Sequence, residues 1–263
     1  MNTLFVNKNG VILRVLKTEH EQFWNSLARS EWEQETFAIF DKFITKEFTY
    51  LDIGAWIGPT LLYAAHFAKE AYGFEPDPIA FNELCENLKL NPNLDNVKIY
   101  RTLIGNTNGE VWLGNRFKGG DSQGSILFAN ERTRWSANSI RLEDVVQREK
   151  IQSPLFIKID VEGGEYSLVP SLTKFFKKIR PIVYLSLHGS FLSMSLYPGS
   201  RSPIKRILRR IKYVIAHLRL VKSLMAFRHV CDSCGNELNV FKGLLNVIYG
   251  KDMVEDNVIL AMD

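Results

Sequence analysis

The stretch Tyr50-Leu-Asp-Ile-Gly-Ala-Trp-Ile-Gly58, followed by Tyr72-Gly-Phe-Glu-Pro-Asp77, decides the fold of this chain. In both segments a short apolar run ends at a glycine or an acid, which is typical of a buried strand and the turn after it. Together they predict a strand–helix–strand unit with parallel strands. Such a unit binds a nucleoside beyond the carboxyl ends of its strands.

The glycine spacing distinguishes between the nucleosides that such a unit binds. A dinucleotide site reads G-x-G-x-x-G, because the backbone must approach a pyrophosphate closely. Here Gly54 and Gly58 have the spacing G-x-x-x-G. S-adenosylmethionine (SAM) has no phosphate and needs only a tight turn, and Glu75 stands where an acid accepts hydrogen bonds from ribose hydroxyls. We therefore expect SAM as the cofactor.

Length and composition are those of one globular domain, residues 1–263, with 46% hydrophobic and 24% charged residues. The sequence has neither the pattern of a signal peptide nor an apolar run long enough to cross a membrane. Three cysteines, an odd number, argue against a disulfide framework. We expect a cytoplasmic protein.

Positive charge is concentrated in one segment. The formal net charge is +4, yet residues 201–228 contain nine Lys or Arg and no acid, so the remainder of the chain is net acidic. A domain that binds nucleic acid usually has a basic surface overall, so we expect no nucleic-acid partner for this chain.

Apolar runs alternate with helical patterns along the chain, which predicts a doubly wound, mostly parallel sheet with an antiparallel edge. Residues 1–31 form an N-terminal extension, and residues 195–240 form a basic helical insertion or lid after strand five. The predicted strands of the sheet are 49–53, 70–74, 97–103, 155–161, 181–187, 244–249 and 258–262.

Three blocks of sequence resemble the FkbM-type family of class I SAM-dependent methyltransferases. They are Leu51-Asp-Ile-Gly-Ala-Trp-Ile-Gly-Pro-Thr60, Gly73-Phe-Glu-Pro-Asp-Pro78 and Ile157-Lys-Ile-Asp-Val-Glu-Gly-Gly-Glu165, and Tyr184-Leu-Ser-Leu-His188 is similar to the end of the family's strand five. The resemblance implies a seven-stranded Rossmann-like sheet with a reversed last strand, and methyl transfer to an oxygen of a sugar or natural product. Trp56 stands where many relatives have Asn, so no role of that Asn is transferred.

Residues near the carboxyl ends of the strands are the cofactor candidates. The alternative for Asp52 and Glu75 is that each caps the following helix. The full candidate set is Glu35, Thr36, Asp52, Gly54, Ala55, Gly58, Glu75, Pro76, Ser125 and Asp160, with Asp121 and Ser122 in the same glycine-rich loop as Ser125.

The catalytic candidates are Asp160, Glu162 and His188. Strand periodicity places Lys158, Asp160 and Glu162 on one face, and buried charges are costly unless they are paired or functional. A purely structural pairing of Lys158, with Glu165 capping a helix, is the alternative. His188 ends the next strand and could act as a base for an alcohol acceptor. In a second version, which we do not favour, Asp160, Glu162 and His188 hold a divalent metal.

The basic segment 203–228 has a helical pattern with one apolar stripe. We consider three roles for it: a helix packed on the domain through this stripe, a lid for an anionic acceptor, or a contact with anionic lipid at the inner membrane surface. The predicted stripe contains Ile204, Ile207, Leu208, Ile211, Val214, Ile215, Leu218 and Met225.

The single C-x-x-C at Cys231 and Cys234 lacks the four ligands of structural zinc.

These patterns favour a SAM-dependent methyltransferase that acts on a hydroxyl oxygen of a small molecule or saccharide. A nucleotide-binding oxidoreductase is the alternative enzyme, and the glycine spacing argues against it. A degenerate methyltransferase fold that serves as a membrane-surface adaptor is the alternative without catalysis. The oligomeric state is left open.

Overall fold

The computed structural model describes residues 3–114, 127, 134–196, 202–254 and 257–263. The strands are β1 (Thr3–Lys8), β2 (Val11–Leu16), β3 (Thr49–Ile53), β4 (Glu70–Phe74), β5 (Val97–Tyr100), β6 (Leu103–Ile104), β7 (Gly109–Gly114), β8 (Arg134–Ile140), β9 (Leu155–Ile159), β10 (Ile182–Ser186), β11 (His229–Cys231) and β12 (Val258–Met262). The helices are α1 (Glu21–Ala28), α2 (Gln34–Phe43), α3 (Pro59–Ala65), α4 (Pro78–Lys89), α5 (Leu142–Arg148), α6 (Glu165–Ser171), α7 (Thr173–Ile179), α8 (Gly189–Ser195), α9 (Pro203–Leu224) and α10 (Val240–Ile248).

The central sheet has seven strands in the order β11-β12-β10-β9-β3-β4-β5. β5, β4, β3, β9 and β10 run parallel, whereas β12 is antiparallel to both of its neighbours. The chain leaves β3 toward β4 and β5 on one side and returns to β9 on the other. The predicted mostly parallel sheet is thus confirmed, and its strand order reverses beside β3, where such sheets bind ligands.

Both faces of the sheet are covered, which explains the near-continuous apolar runs in its central strands. All five residues of β3 and all five of β9 are buried. One core lies between the sheet and α5, α6, α7, α9 and α10. The other lies under α2, α3, α4 and the N-terminal segment, where Leu13, Trp24 and Leu27 are buried. The described part of the N-terminal segment, residues 3–31, therefore contributes to the core of the domain.

The prediction of a strand at 244–249 is wrong, because this run lies in α10 and the remaining strand of the sheet is β11. Asn239 caps α10 by accepting a hydrogen bond from the backbone N–H of Lys242, at 3.0 Å. Val247 is buried while Leu245 and Ile248 are exposed, which is a helical distribution. A short apolar run alone does not distinguish a buried strand from a helix.

The predicted helix at 203–228 is confirmed as α9, and it packs on the domain, but not through the apolar stripe that was considered for this role. Ile204 and Ile207 are 70% and 62% exposed, and the helix packs through the opposite face, where Leu220 and Leu224 are buried. α9 has apolar residues on both faces, and the periodicity of the sequence does not say which of them meets the domain. No helix in the described part of the chain is both long and apolar enough to cross a membrane.

Candidate active site

A cavity of about 1280 Å³ lies at the carboxyl edge of the sheet, beside the turn after β3. Asp52 and Gly58 do not line it, and Ser125, Asp121 and Ser122 lie outside the described residues. The predicted site residues that line the cavity are Glu35, Thr36, Gly54, Ala55, Glu75, Pro76, Asp160, Glu162 and His188.

The turn after β3 requires its two glycines for reasons of backbone geometry. Gly54 has φ +91°, and a Cβ atom there would lie 1.9 Å from the carbonyl oxygen of Asp160. Gly58 has φ +96° and precedes the first turn of α3. A side chain at Gly54 would collide with the Asp160 carbonyl, so the ends of β3 and β9 approach each other closely at the cavity wall. One at Gly58 would collide with Leu84 of α4.

Glu75 is buried at the end of β4 and organises the turn. Its Oε2 accepts a hydrogen bond from the N–H of Trp56 at 2.9 Å, and its Oε1 accepts one from the N–H of Asp77 at 2.8 Å. Burial raises the pKa of Glu75 to about 7, although both backbone bonds oppose this. Each carboxylate oxygen has a further lone pair, so the group fits two ribose hydroxyls as well. Helix capping falls to Asp77, which accepts from Ile79 at the start of α4.

Trp56 has φ +47°, in the left-handed region where Asn is the favoured non-glycine residue. Its ring meets the rings of His20 and Phe23 edge-on, with centroids 5.1 and 4.7 Å apart. Phe23 lies on α1 and lines the cavity, so the N-terminal segment forms part of its wall. Trp56 thus keeps the backbone conformation of the turn and adds a contact that an Asn would not make.

Lys158 is fully buried and joins two acids in one network. Its Nζ lies 3.3 Å from Asp52 Oδ1 and 3.2 Å from Asp160 Oδ2. Asp52 also accepts a hydrogen bond from Thr60 at 2.7 Å. Burial alone would lower the pKa of Lys158, but the charges of Asp160 and Asp52 outweigh it and raise the pKa. Asp52 therefore acts behind the cavity wall by fixing Lys158.

His188 lies among three carboxylates at the end of β10. Its Nδ1 is 2.8 Å from Glu165 Oε1, and its Nε2 is 3.5 Å from Glu162 Oε2 and 3.7 Å from Asp160 Oδ1. Glu162 has φ +52°, which is uncommon for a residue with a side chain and occurs at functional turns. The turn before α6 thus directs Glu162 and Glu165 toward one imidazole ring.

The charges of this cluster shift the pKa values of its members in different directions. Burial alone would lower the pKa of His188, but its hydrogen bond to Glu165 and the nearby carboxylates raise it to about 10. Burial raises the pKa of Glu162 to about 8, against the attraction of His188. Burial would also raise the pKa of Asp160, but Lys158 and His188 hold it below its usual value. His188 is therefore a cation at neutral pH, which argues against its predicted role as the base, because a protonated imidazole cannot accept the proton of an alcohol.

The same region meets one geometric condition for a metal site. Asp160, Glu165 and His188 each offer a ligand atom, and these atoms lie within 4.8 Å of one another. The Nδ1 atom of His188 is already hydrogen-bonded to Glu165, and Lys158 neutralises part of the acidic charge. A cation there would have to displace contacts that the side chains already make.

Sequence reasoning missed Glu33, which lines the cavity just before α2. Its carboxylate accepts a hydrogen bond from Thr36 at 2.9 Å, and Thr36 also meets the hydroxyl of Tyr184 at 2.6 Å. Burial and the charge of Asp160 raise the pKa of Glu33 to about 7. A glutamate is an uncommon N-cap, and that irregularity is the only sequence signal for it.

The seven-stranded sheet with β12 reversed between β10 and β11 is the sheet that the sequence resemblance implies. The family model for the methyltransferase FkbM domain matches residues 52–211, more than half of the chain. The chain therefore belongs to the FkbM family of SAM-dependent methyltransferases. No curated protein matches it.

Comparison with solved structures finds several methyltransferases, each with a TM-score below 0.5. Methyltransferase FkbM from Methylobacillus flagellatus KT is 18% identical over 54% of this chain and 33% of that chain, with a TM-score of 0.41. TYW2 from M. jannaschii, solved with AdoMet, is 18% identical over 81% and 73% of the two chains, with a TM-score of 0.38. Geranyl diphosphate methyltransferase, solved with GPP and sinefungin, is 10% identical over 92% and 80%, with a TM-score of 0.42. The chain thus matches only 33% of the length of the FkbM structure.

Proposed function

We propose that this chain transfers the methyl group of SAM to a hydroxyl oxygen of a small molecule or saccharide. The observation that carries the proposal is the cluster of Asp160, Glu162, Glu165 and His188 at the same cavity as Glu75. Methyl transfer needs close positioning of two reactants, and an alcohol must in addition lose a proton. A carboxylate in the same cavity as Glu75 can accept the proton that the alcohol loses.

The charge of the cavity favours SAM over a dinucleotide. Glu33, Glu75, Asp160 and Glu162 all line it, and SAM carries a sulfonium and an ammonium group. The pyrophosphate of a dinucleotide would oppose the ionisation of these acids, whereas the positive groups of SAM favour it. The oxidoreductase alternative therefore has less support. When bound, SAM supplies the electrophilic methyl group, and the carboxylate of Glu75 would receive the ribose hydroxyls.

We assign the proton acceptor to Glu162. It lines the cavity, and its pKa of about 8 is close to neutrality, where a base is most effective. The Glu162 carboxylate would take the hydroxyl proton while the acceptor oxygen bonds to the methyl carbon and the carbon–sulfur bond breaks. His188, held by Glu165, stays charged and stabilises the ionised form of Glu162. Asp160 keeps its place through Lys158 and orients the other side of the imidazole.

The lining of the cavity supports a neutral, hydroxyl-rich acceptor. Among the described lining residues the basic side chains are Lys158 and His188, which are both engaged with acids, and Lys242 of α10. None comes from α9, so the role of a lid that binds an anionic acceptor has no support from this helix. Amide groups suited to hydroxyls line the same cavity, namely Asn106, Asn239, Asn246 and Asn257.

Isotope transfer tests this proposal. The purified protein is incubated with methyl-deuterated SAM and a metabolite extract, and labelled products are identified by mass spectrometry and NMR. We expect a deuterated methyl ether that is absent when Glu162→Gln replaces the wild type. A label on nitrogen or carbon, or no labelled product in any extract, would contradict the proposal.

A divalent metal is the second candidate for activating the hydroxyl, because Asp160, Glu165 and His188 meet the distance condition for one. We favour the metal-free version, because His188 Nδ1 is bonded to Glu165. Dialysis against a chelator should leave the rate unchanged. Loss of activity that added Mg²⁺ or Mn²⁺ restores would show that the metal version is correct.

A further inference from the structure

The outward face of α9 carries a continuous apolar ridge. Ile204, Ile207, Ile211 and Leu218 are exposed by 70%, 62%, 47% and 50%. Their spacing of three, four and seven residues places them on one side of a helix. Single exposed apolar residues are ordinary on protein surfaces, but a contiguous row is not. The ridge also includes Leu208, Ile215 and Met225, which are exposed as well.

The ridge is not the face through which α9 packs on the domain. That opposite face contains buried His217, Leu220, Val221 and Leu224. The ring of His217 meets the rings of Tyr166 and Tyr213 at 4.5 and 4.4 Å. Because this face is anchored in the core, α9 cannot rotate to bury the ridge without losing those contacts.

The neighbouring helix α10 adds a second exposed apolar face. Arg210 of α9 donates hydrogen bonds to the backbone carbonyl oxygens of Val247 and Ile248 and so joins the two helices. A neighbouring side of α10, with Asn239, Lys242 and Asn246, lines the cavity. The exposed apolar residues around α10 are Phe241 at 56%, Leu245 at 53%, Ile248 at 45% and Tyr249 at 80%.

The charge of α9 indicates what covers this surface. The helix has no acidic residue, and Lys205, Lys212 and Arg219 repeat every seven residues along one flank of the ridge. A second copy of the same face would bring these cations together, which opposes a symmetric dimer. An apolar ridge with a basic flank on a helix of about 33 Å is the pattern of helices that lie in the interface of anionic lipid. The other basic residues of α9 are Arg206, Arg209, Arg210 and Lys222.

We propose that the outer faces of α9 and α10 bind the surface of an anionic lipid bilayer. The apolar ridge enters the region between head groups and acyl chains, and the basic flank pairs with lipid phosphates. Because α10 also lines the cavity, bound protein would hold the cavity beside the lipid surface. This inference does not depend on the proposed methyl transfer.

Vesicle flotation with the full chain tests the proposal. Wild type should float with vesicles of phosphatidylglycerol and phosphatidylcholine, and poorly with phosphatidylcholine alone. Ile207→Ser with Ile211→Ser should weaken binding by roughly tenfold or more. Lys205→Gln with Arg219→Gln should weaken it by roughly 30-fold, and raised salt should reproduce that loss.

Two matched double variants serve as controls. Phe5→Ser with Ile12→Ser removes two apolar side chains that are 70% and 58% exposed on the N-terminal hairpin. Lys174→Gln with Lys177→Gln removes two exposed charges on α7. Both should float like wild type, and all variants should unfold at the same denaturant concentration. No flotation of the wild type, equal flotation on uncharged vesicles, or equal losses in the controls would each overturn the proposal. So would a wild-type dimer that the α9 variants dissociate without any vesicle binding.

Discussion

In most proteins charged side chains are exposed and apolar side chains are buried. The carboxyl edge of the sheet departs from the first rule, and the outer face of α9 departs from the second. At the sheet edge, charged groups are buried: Lys158 is 2% exposed and Asp52 is 0% exposed. On α9, apolar groups are exposed, as Ile204 and Ile207 illustrate. Both arrangements are costly in isolation.

The two regions differ in where the groups that offset this cost in free energy are found. The buried Lys158 is paired with Asp52 and Asp160 inside the molecule, so the sheet edge is organised before any ligand binds. The apolar ridge of α9 has no such partner among the described residues. The first region therefore has the properties of a preorganised reaction site, and the second those of a surface that another phase covers.

The largest expected effect concerns the reaction at the sheet edge. Glu162→Gln removes the proposed proton acceptor while keeping its size, so the single-turnover rate should fall by about 10²–10⁴ with the acceptor found by labelling. Substitutions on the α9 ridge should leave the rate with a soluble acceptor unchanged. A Glu162→Gln rate near that of wild type would show that proximity alone drives the transfer.

The pH dependence of the rate provides a second measurement on the same cluster. The rate should rise as pH passes about 8, where Glu162 loses its proton, and fall near 10, where His188 loses its charge. Glu162→Gln should abolish the rising limb. A rate that is maximal below pH 6 would contradict the assignment of Glu162 as the base.

Stability should respond strongly to loss of the buried cation. Lys158→Met leaves Asp52 and Asp160 without their partner, and removal of one member of a buried ion pair costs about 3–5 kcal/mol. Lys98→Met removes a lysine whose side chain is 53% exposed, and an exposed pair contributes about 0–1 kcal/mol. Urea unfolding measures the free energy of unfolding of both variants. A loss for Lys158→Met as small as that for Lys98→Met would show that the network is not needed for folding.

Two leucines on α9 test the orientation of this helix. Leu220 is 0% exposed and Leu218 is 50% exposed. Leu220→Ala should lower the free energy of unfolding by about 2–5 kcal/mol, whereas Leu218→Ala should change it by no more than about 0.5 kcal/mol. If Leu218→Ala is the more damaging variant, α9 packs through its ridge and the contrast between the two regions disappears.

The parallel part of the sheet could be predicted from the sequence because both of its faces are covered. A strand buried on both sides must be an almost continuous apolar run, as in Leu155–Ile159, and such runs between turn residues are easily recognised. Gly54 and Gly58 were equally informative, since their φ angles of +91° and +96° strongly favour glycine.

The insertion could not be predicted to the same extent. α9 is apolar on two faces, so the hydrophobic period indicates a helix without saying which face is buried. In α10 the run Leu244–Ile248 is too short for its period to separate strand from helix. The cap at Asn239 and the packing against α9 determine that this run is helical.

The sequence predicted several of the side chains that meet at the cavity, but it did not predict their pKa values. The adjacency of neighbouring parallel strand ends predicted that Asp160 lies near His188. The predicted strand periodicity does not extend to Asp160 and Glu162, because β9 ends at Ile159 and both acids lie in the turn after it. The pKa of His188 depends on Glu165 at 2.8 Å, a distance that arises from the turn before α6 and leaves no trace in spacing. Glu33 joins the cavity through tertiary packing of α2, which the sequence does not encode locally.

Calorimetric titration of SAM tests the central claim, that Glu75 and the turn after β3 form a SAM site separate from the proton acceptor. Wild type should bind SAM, and Glu162→Gln should bind it with similar affinity. Glu75→Ala should bind about 10–100-fold more weakly, because two ribose hydroxyls lose a buried carboxylate that accepts their hydrogen bonds. No binding by the wild type, or unchanged affinity in Glu75→Ala, would contradict the account.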